Sequence, residues 1–274
     1  MKNLIMRAAS GAIYVAIIVA ATMAGGTWFS LLMTIFAALA AIEFTALTDS
    51  PAPNAGPLPA VIRALTIAAT TATVGACGAS FMLAVAIAMS FFLLRGIAAL
   101  YDRRAESFTA VGRSALCFLY IGLPLGAMNL FENIISNYAV VLMIFVMIWL
   151  NDTGAYLVGS TLGRRKLFER LSPKKSWEGF FGGLIFCVLA GFGASIWIDS
   201  PLSTWQWIST GVLVCAFSTW GDLFESLMKR SLGVKDSGRL IPGHGGILDR
   251  IDSLLFVAPA ISLFLAVSVY YNVM

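Results

Sequence analysis

Apolar runs of about twenty residues recur along this chain, separated by short polar breaks. A bilayer core about 30 Å thick is crossed by about 20 residues of helix, and lipid offers backbone N–H and C=O groups no partner outside the segment itself. The runs therefore predict an all-α fold: a polytopic integral membrane protein with about nine transmembrane helices. The spans lie near residues 8–24, 27–47, 59–76, 80–101, 114–130, 137–158, 178–198, 206–229 and 251–272. A composition of 59% hydrophobic against 12% charged residues excludes an ordinary soluble domain.

The basic residues give the chain a direction, because Lys and Arg collect in cytoplasmic loops. With the N-terminus cytoplasmic, Lys2, Arg7, Arg63, Arg95 to Arg113, Arg164 to Lys175 and Lys229 to Arg250 all fall on one side, while the opposite loops carry Glu132 and Asp199. An odd number of spans then places the C-terminus on the periplasmic side, in a cell inner (cytoplasmic) membrane. The net charge of +4 is what such loops carry against anionic lipid, so no nucleic acid is expected as a partner. The first 25 or so residues have the basic start and apolar stretch of a signal peptide, yet further spans follow at once, and the segment is read as a retained first helix. Cys77, Cys117, Cys187 and Cys215 are scattered through apolar segments and read as packing residues. With a single histidine, a zinc site has almost no ligands.

A Pro-rich link from Asp49 to Pro59 and a polar stretch from Tyr101 to Arg113 organise the chain. They predict N-terminal membrane helices over 1–112, a scaffold of about four spans, and a C-terminal catalytic membrane domain over 113–274, with about five spans and cytoplasmic loops at 160–177 and 230–250. Glu43 is the only acid inside an N-terminal span; it is expected to have a structural role, paired with a cation such as Arg63. The spacings Gly122-x-x-x-Gly126 and Gly179-x-x-x-Gly183 allow close helix approach and are expected to serve packing within the chain.

The polar residues concentrate between Ser226 and Asp252, which hold the only histidine among interleaved bases, acids and glycines. Asp222 lies about seven residues before the helix end at Lys229, roughly 10 Å below the membrane boundary. Glu225 and Lys229 share its face and Ser226 is one turn away, so a Glu225–Lys229 helix pair with Asp222 held by a neighbour is the plainest reading. Asp249 and Asp252 open the last span, where capping alone accounts for a carboxylate. Antiparallel packing of the last two helices would also bring Asp222 and Asp249 together, and oxygen-only ligands favour Mg²⁺. Lys229, Arg230, Lys235, Arg239 and Arg250, with Lys174 and Lys175 from the preceding loop, are able to neutralise phosphates. Pro242-Gly243-His244-Gly245-Gly246 suits a tight turn whose N–H groups approach phosphate oxygens, although it matches neither a P-loop nor a dinucleotide fingerprint. His244 is read as a phosphate-binding or leaving-group residue, because a phosphate monoester is already largely anionic at neutral pH. Trp177 is read as an interface anchor.

The order S-x-x-K-R, four residues, K-D, then P-G-H-G-G, D-R and D closely resembles the signature of the phosphatidate cytidylyltransferases, the CDP-diacylglycerol synthases. The resemblance extends to Asp152–Gly159 (DTGAYLVG) and Ser172–Gly179 (SPKKSWEG), so it covers roughly the C-terminal half. It implies CTP and phosphatidic acid, a membrane lipid, as substrates, and Mg²⁺ as cofactor with Asp222 and Asp249 as metal ligands. It also implies a place for Asp152 beside the active site, and a homodimer; Lys229 and His244 are expected as catalytic companions on their own chemistry. Ser172, Lys174, Lys175, Ser226, Arg230, Lys235, Asp236, Arg239, Gly245, Gly246, Arg250 and Asp252 are the expected substrate-binding set. Two alternatives stand beside it: a CTP-dependent enzyme acting on another membrane lipid, and a phosphate-ester or anion transporter.

Overall fold

A computed structural model describes residues 2–48, 58–101, 107–238, 240 and 245–273, with side chains from 9 to 268 within those ranges. Ten α-helices occur among them: α1 (Lys2–Ala24), α2 (Gly26–Thr48), α3 (Leu58–Cys77), α4 (Phe81–Tyr101), α5 (Ser107–Cys117), α6 (Leu123–Ile135), α7 (Tyr138–Leu162), α8 (Trp177–Trp197), α9 (Thr204–Ser231) and α10 (Leu248–Val273). A π-helical turn, Phe118–Gly122, joins α5 to α6 into one apolar segment. Its cause is Pro124, which has no N–H for the carbonyl of Tyr120 and whose ring crowds it, so the ladder widens there.

Each expected span coincides with one of these segments. Seven of them, among the described residues, are long and apolar enough to cross a membrane: α2, α3, α4, the joined Ser107–Ile135, α7, α8 and the Leu248–Ser268 part of α10. The chain is thus a multi-pass, all-α membrane protein. The other two candidates differ for legible reasons. The apolar part of α1 is the shorter Ala9–Ala24, and α9 carries Asp222, Glu225, Lys229 and Arg230 near its end.

One element departs from the all-helical expectation. Strands β1 (Lys166–Phe168) and β2 (Ser172–Ser176) pair antiparallel, with Lys166 opposite Ser176 and Phe168 opposite Ser172. This hairpin occupies the loop between α7 and α8.

By packing, the chain forms two compact units, one of 1–134 with 236–250 and the other of 135–235 with 251–274. The loop expected to belong with the catalytic helices therefore packs with the N-terminal helices. In the first unit Phe29, Met33, Phe36 and Phe44 of α2 are buried, as are Ile121, Leu125 and Met128. Gly126 abuts Cys77, and Gly122 abuts Thr70, so this glycine pair packs α3 within the chain. The α1–α2 turn uses Gly25 and Gly26 at positive φ. Gly26 N–H donates to Glu132 at 2.9 Å, securing one end of α2.

In the second unit, α7 and α8 approach along a glycine stripe. A side chain at Gly182 would meet Val158, and one at Gly179 would meet the carbonyl of Ala155. α8 and α9 meet the same way, Gly191 against the Trp207 carbonyl and Gly211 against that of Cys187. Both expected glycine pairs thus serve packing inside one chain. The cysteines are free thiols, three buried and Cys77 half-buried, as packing residues are expected to be.

Candidate active site

In the second unit, the end of α7, the hairpin, the start of α8 and the end of α9 enclose a cavity of about 590 Å³. Its walls carry Asp152 and Asp222 as acids and Lys166, Lys174 and Lys175 as bases, with Ser172, Ser176 and Thr219 as neutral polar groups. The motif Ser172–Gly179 builds this wall in three steps. Residues 172–176 form β2. Ser176, in extended backbone, then caps α8 by accepting the Gly179 N–H at 3.1 Å. Glu178 in the first turn accepts the N–H groups of Arg164 at 3.0 Å and Arg165 at 3.1 Å, tying the hairpin's entry to its exit. So Ser176 and Glu178 are spent on shape, while Ser172, Lys174 and Lys175 are left facing the cavity.

The acids of α9 are distributed as their spacing predicts. Glu225, 1% exposed at its side chain, pairs with Lys229 at 2.7 Å, and the pair stays off the cavity wall. Asp222 is held by Lys175 Nζ at 2.6 Å, with the Ser226 hydroxyl donating at 3.4 Å. The expected neighbour of Asp222 is therefore a lysine of the hairpin. Asp252, in the first turns of α10, is near enough to Asp222, Glu225 and Asp152 for their charges to act on it. Gly221 allows this approach, since a side chain there would meet the Asp252 carbonyl and Ser253. Ser253 donates to the Ser218 carbonyl at 3.3 Å and Asn151 to the Ser218 hydroxyl at 3.3 Å, fastening α7, α9 and α10 at this level. Arg230 turns back to the Val234 carbonyl at 3.3 Å, and Lys235 is exposed.

In the first unit, described residues on either side of the glycine-rich sequence meet two carboxylates. Asp249 Oδ2 accepts the Gly246 N–H at 2.8 Å, the Ser237 N–H at 3.0 Å and the Ser237 hydroxyl at 3.0 Å. Glu43 of α2 accepts the Ile247 N–H at 2.9 Å, the Leu248 N–H at 3.0 Å and the Ser237 hydroxyl at 3.1 Å. The first N–H of α10, that of Leu248, is thus capped by Glu43, and the next, that of Asp249, by the Ser237 hydroxyl at 3.3 Å. Gly245 is needed for its φ of +82°, and Gly246 for space, because a side chain there would strike Glu43 and Ser237. Asp236 and Arg250 are exposed at either end.

Two expectations change here. Glu43 is structural, but its partners are Ser237, Ile247 and Leu248; Arg63 instead donates to the Thr45 hydroxyl at 3.3 Å. The N–H of Gly246 serves Asp249, so the turn's phosphate-cradling role cannot rest on that group. Arg239, Pro242, Gly243 and His244 lie outside the described residues. Ser237 and the hairpin went unrecognised in the sequence; an i+12 relation to Asp249 and strands of three and five residues leave no periodic trace.

Oxygen donors of this kind suit a hard dication. Among the described residues no three acidic, His or Cys side chains converge to hold a metal ion. One or two carboxylates completed by water and substrate phosphates is the pattern that suits Mg²⁺, and the donor set fits it.

The comparisons with known proteins agree with this chemistry. The sequence model of the Cytidylyltransferase family matches residues 5–268. A phosphatidate cytidylyltransferase of Staphylococcus saprophyticus subsp. saprophyticus is 40% identical over 179 residues, 65% of this chain and 67% of that protein. Proteins of the same name from Staphylococcus epidermidis and Staphylococcus aureus are each 38% identical over the same shares. A match over nearly the whole length, on a chain whose signature residues build one acid-and-base-lined cavity and one carboxylate-held loop, leaves one assignment: the chain belongs to the cytidylyltransferase family.

Proposed function

We propose that the chain transfers a cytidylyl group from CTP to phosphatidic acid, giving CDP-diacylglycerol and pyrophosphate for phospholipid synthesis. A phosphate oxygen of the lipid bonds to the α-phosphorus of CTP, and the bond from that phosphorus to the β-phosphate oxygen breaks. The observation that carries this reading is the 590 Å³ cavity, where Lys166, Lys174 and Lys175 stand beside Asp152 and Asp222 at the ends of membrane helices. A soluble triphosphate and a lipid phosphate both need such a place.

Asp222 and Asp249 are read as the residues that hold Mg²⁺, which supplies charge neutralisation on the phosphates. Lys175, now 2.6 Å from Asp222, has the length and freedom to turn its ammonium onto a triphosphate. Lys174 adds charge on the same wall. Asp152 and Lys229, the latter paired with Glu225 at 2.7 Å, are read as catalytic companions. Ser172, Ser226, Arg230, Lys235, Asp236, Arg239, Gly245, Arg250 and Asp252 complete the proposed substrate set, and His244 the phosphate-binding one. Nine spans, a cytoplasmic N-terminus, a periplasmic C-terminus, an inner-membrane location and a homodimer belong to the same proposal.

Pyrophosphate release by detergent-purified protein tests it, with CTP, Mg²⁺ and phosphatidic acid present and with lipid omission and ATP, GTP and UTP as controls. CTP-selective, lipid-dependent release with a product of CDP-diacylglycerol mass is expected. A different product lipid overturns the acceptor. No release from folded protein, with label uptake into vesicles, overturns the reaction in favour of transport.

A further inference from the structure

Glu43 sits near the end of α2, among helices expected to be scaffold, and the reaction described above does not use it. It is 8% exposed, a costly setting for a carboxylate without donors. Its donors come from two places along the chain: the Ser237 hydroxyl before the glycine-rich turn, and the Ile247 and Leu248 N–H groups after it. One buried side chain therefore holds both ends of the segment that leads into Asp249. The fit is close, since side chains at Gly238 and Gly246 would each strike the Glu43 carboxyl. Moving Ser237, Ile247 and Leu248 away from Glu43 would strip the carboxylate of these donors in a poorly hydrated setting, so Glu43 favours keeping the three residues together.

Ser237 connects this clamp to Asp249. Its hydroxyl lies 3.1 Å from Glu43 Oε2 and 3.0 Å from Asp249 Oδ2, and one proton serves one acceptor at a time. The Ser237 and Gly246 N–H groups remain on Asp249 Oδ2 either way. A second tie reaches the same helix start from α1, where the Tyr14 hydroxyl donates to the Arg250 carbonyl at 3.0 Å.

We propose that Glu43 is a positioning residue for cytidylyl transfer, clamping Ser237 to Ile247 and Leu248 and so fixing the direction in which Asp249 presents its carboxylate. The catalytic consequence rests on the function proposed above; the clamp does not. Glu43 acts through the loop and touches no reacting atom. An N-terminal helix pair thereby becomes part of the catalytic apparatus.

The test compares full-length wild type with Glu43→Gln and Ser237→Ala in detergent, reading steady-state kinetics and hydrogen exchange of peptides within 236–250. Glu132→Gln is the control, since Glu132 is equally buried and holds Gly26 N–H at the other end of α2. Glu43→Gln is expected to lower kcat by about 10- to 100-fold while KM for CTP stays within about threefold. It is also expected to speed exchange within 236–250 and leave α7 and α8 as they were. Glu132→Gln should leave exchange in 236–250 unchanged. Wild-type kcat and exchange in folded Glu43→Gln would overturn the proposal, as would faster exchange spread evenly over the helices in both glutamine variants. If Glu43→Gln fails to fold, Ser237→Ala carries the same reading with a smaller shift. Should the wild type release no pyrophosphate, the function proposal fails, and local exchange still decides whether the clamp exists.

Discussion

Asp222 and Asp249 are read as one metal-holding pair, yet their surroundings differ in kind. Asp222 is held by side chains: the Lys175 ammonium at 2.6 Å and the Ser226 hydroxyl at 3.4 Å, in a half-open setting. Asp249 accepts two backbone donors, the N–H groups of Gly246 and Ser237, beside the Ser237 hydroxyl. A lysine exchanges partners by rotating its own side-chain bonds, with no change of backbone. A backbone donor leaves only if the main chain itself moves. The first region can hand its cation to an arriving phosphate, while the second keeps its charge in place before substrate comes, which is what electrostatic preorganisation requires. The two carboxylates illustrate a division of labour between an exchangeable partner and a fixed one.

The widest effect expected is common to both. Asp222→Asn and Asp249→Asn should each lower kcat by about 10³-fold, the loss of several kcal/mol of charge stabilisation. They should part company in hydrogen exchange, with loosening of 236–250 in Asp249→Asn alone. Equal loosening in both would break the comparison. Next comes Lys175→Ala, for which kcat/KM should fall about 10- to 100-fold, mainly through KM for CTP, because a charge-assisted contact to phosphate is lost. A change in kcat alone would mean that Lys175 positions Asp222 and never turns to the nucleotide. Gly182→Val tests the floor on which the exchangeable region stands. Its added atoms meet Val158 across the α7–α8 contact, and overpacking of this kind costs about 1–3 kcal/mol, read as a lower Tm.

Legibility in the sequence followed the range of the interaction. Membrane helices are visible because lipid forces each backbone to satisfy itself, so every expected span coincides with a helical segment. The Glu225–Lys229 pair is visible because four residues make one turn. The hairpin is not, since Lys166–Phe168 and Ser172–Ser176 are short, polar and without alternation toward a core. Glu43 shows the limit most clearly. As the lone acid in the N-terminal spans it stands out, but its donors lie 194 to 205 residues away, whereas the cation near it in sequence, Arg63, bonds Thr45 instead. The same range explains Gly246. Its motif suits phosphate, yet its N–H is already engaged by Asp249, whose orientation no spacing rule reveals.

The smallest effect sharpens the comparison furthest. Ser176 closes β2, accepts the Gly179 N–H at 3.1 Å and packs against Gly159 and Gly163 at the end of α7. Ser176→Ala removes the cap and leaves a buried donor at the first turn of α8, costing about 1 kcal/mol, which a thermal denaturation series in detergent resolves. If Lys175 works as an exchangeable cation on a flexible stem, a slightly looser strand beneath it matters little, and kcat/KM should change by less than the roughly tenfold minimum expected of Lys175→Ala. A loss as large as that of Lys175→Ala would show that the hairpin must be held as rigidly as the glycine-rich loop. Asp222 and Asp249 would then differ in the chemistry of their partners and not in how firmly those partners are fixed.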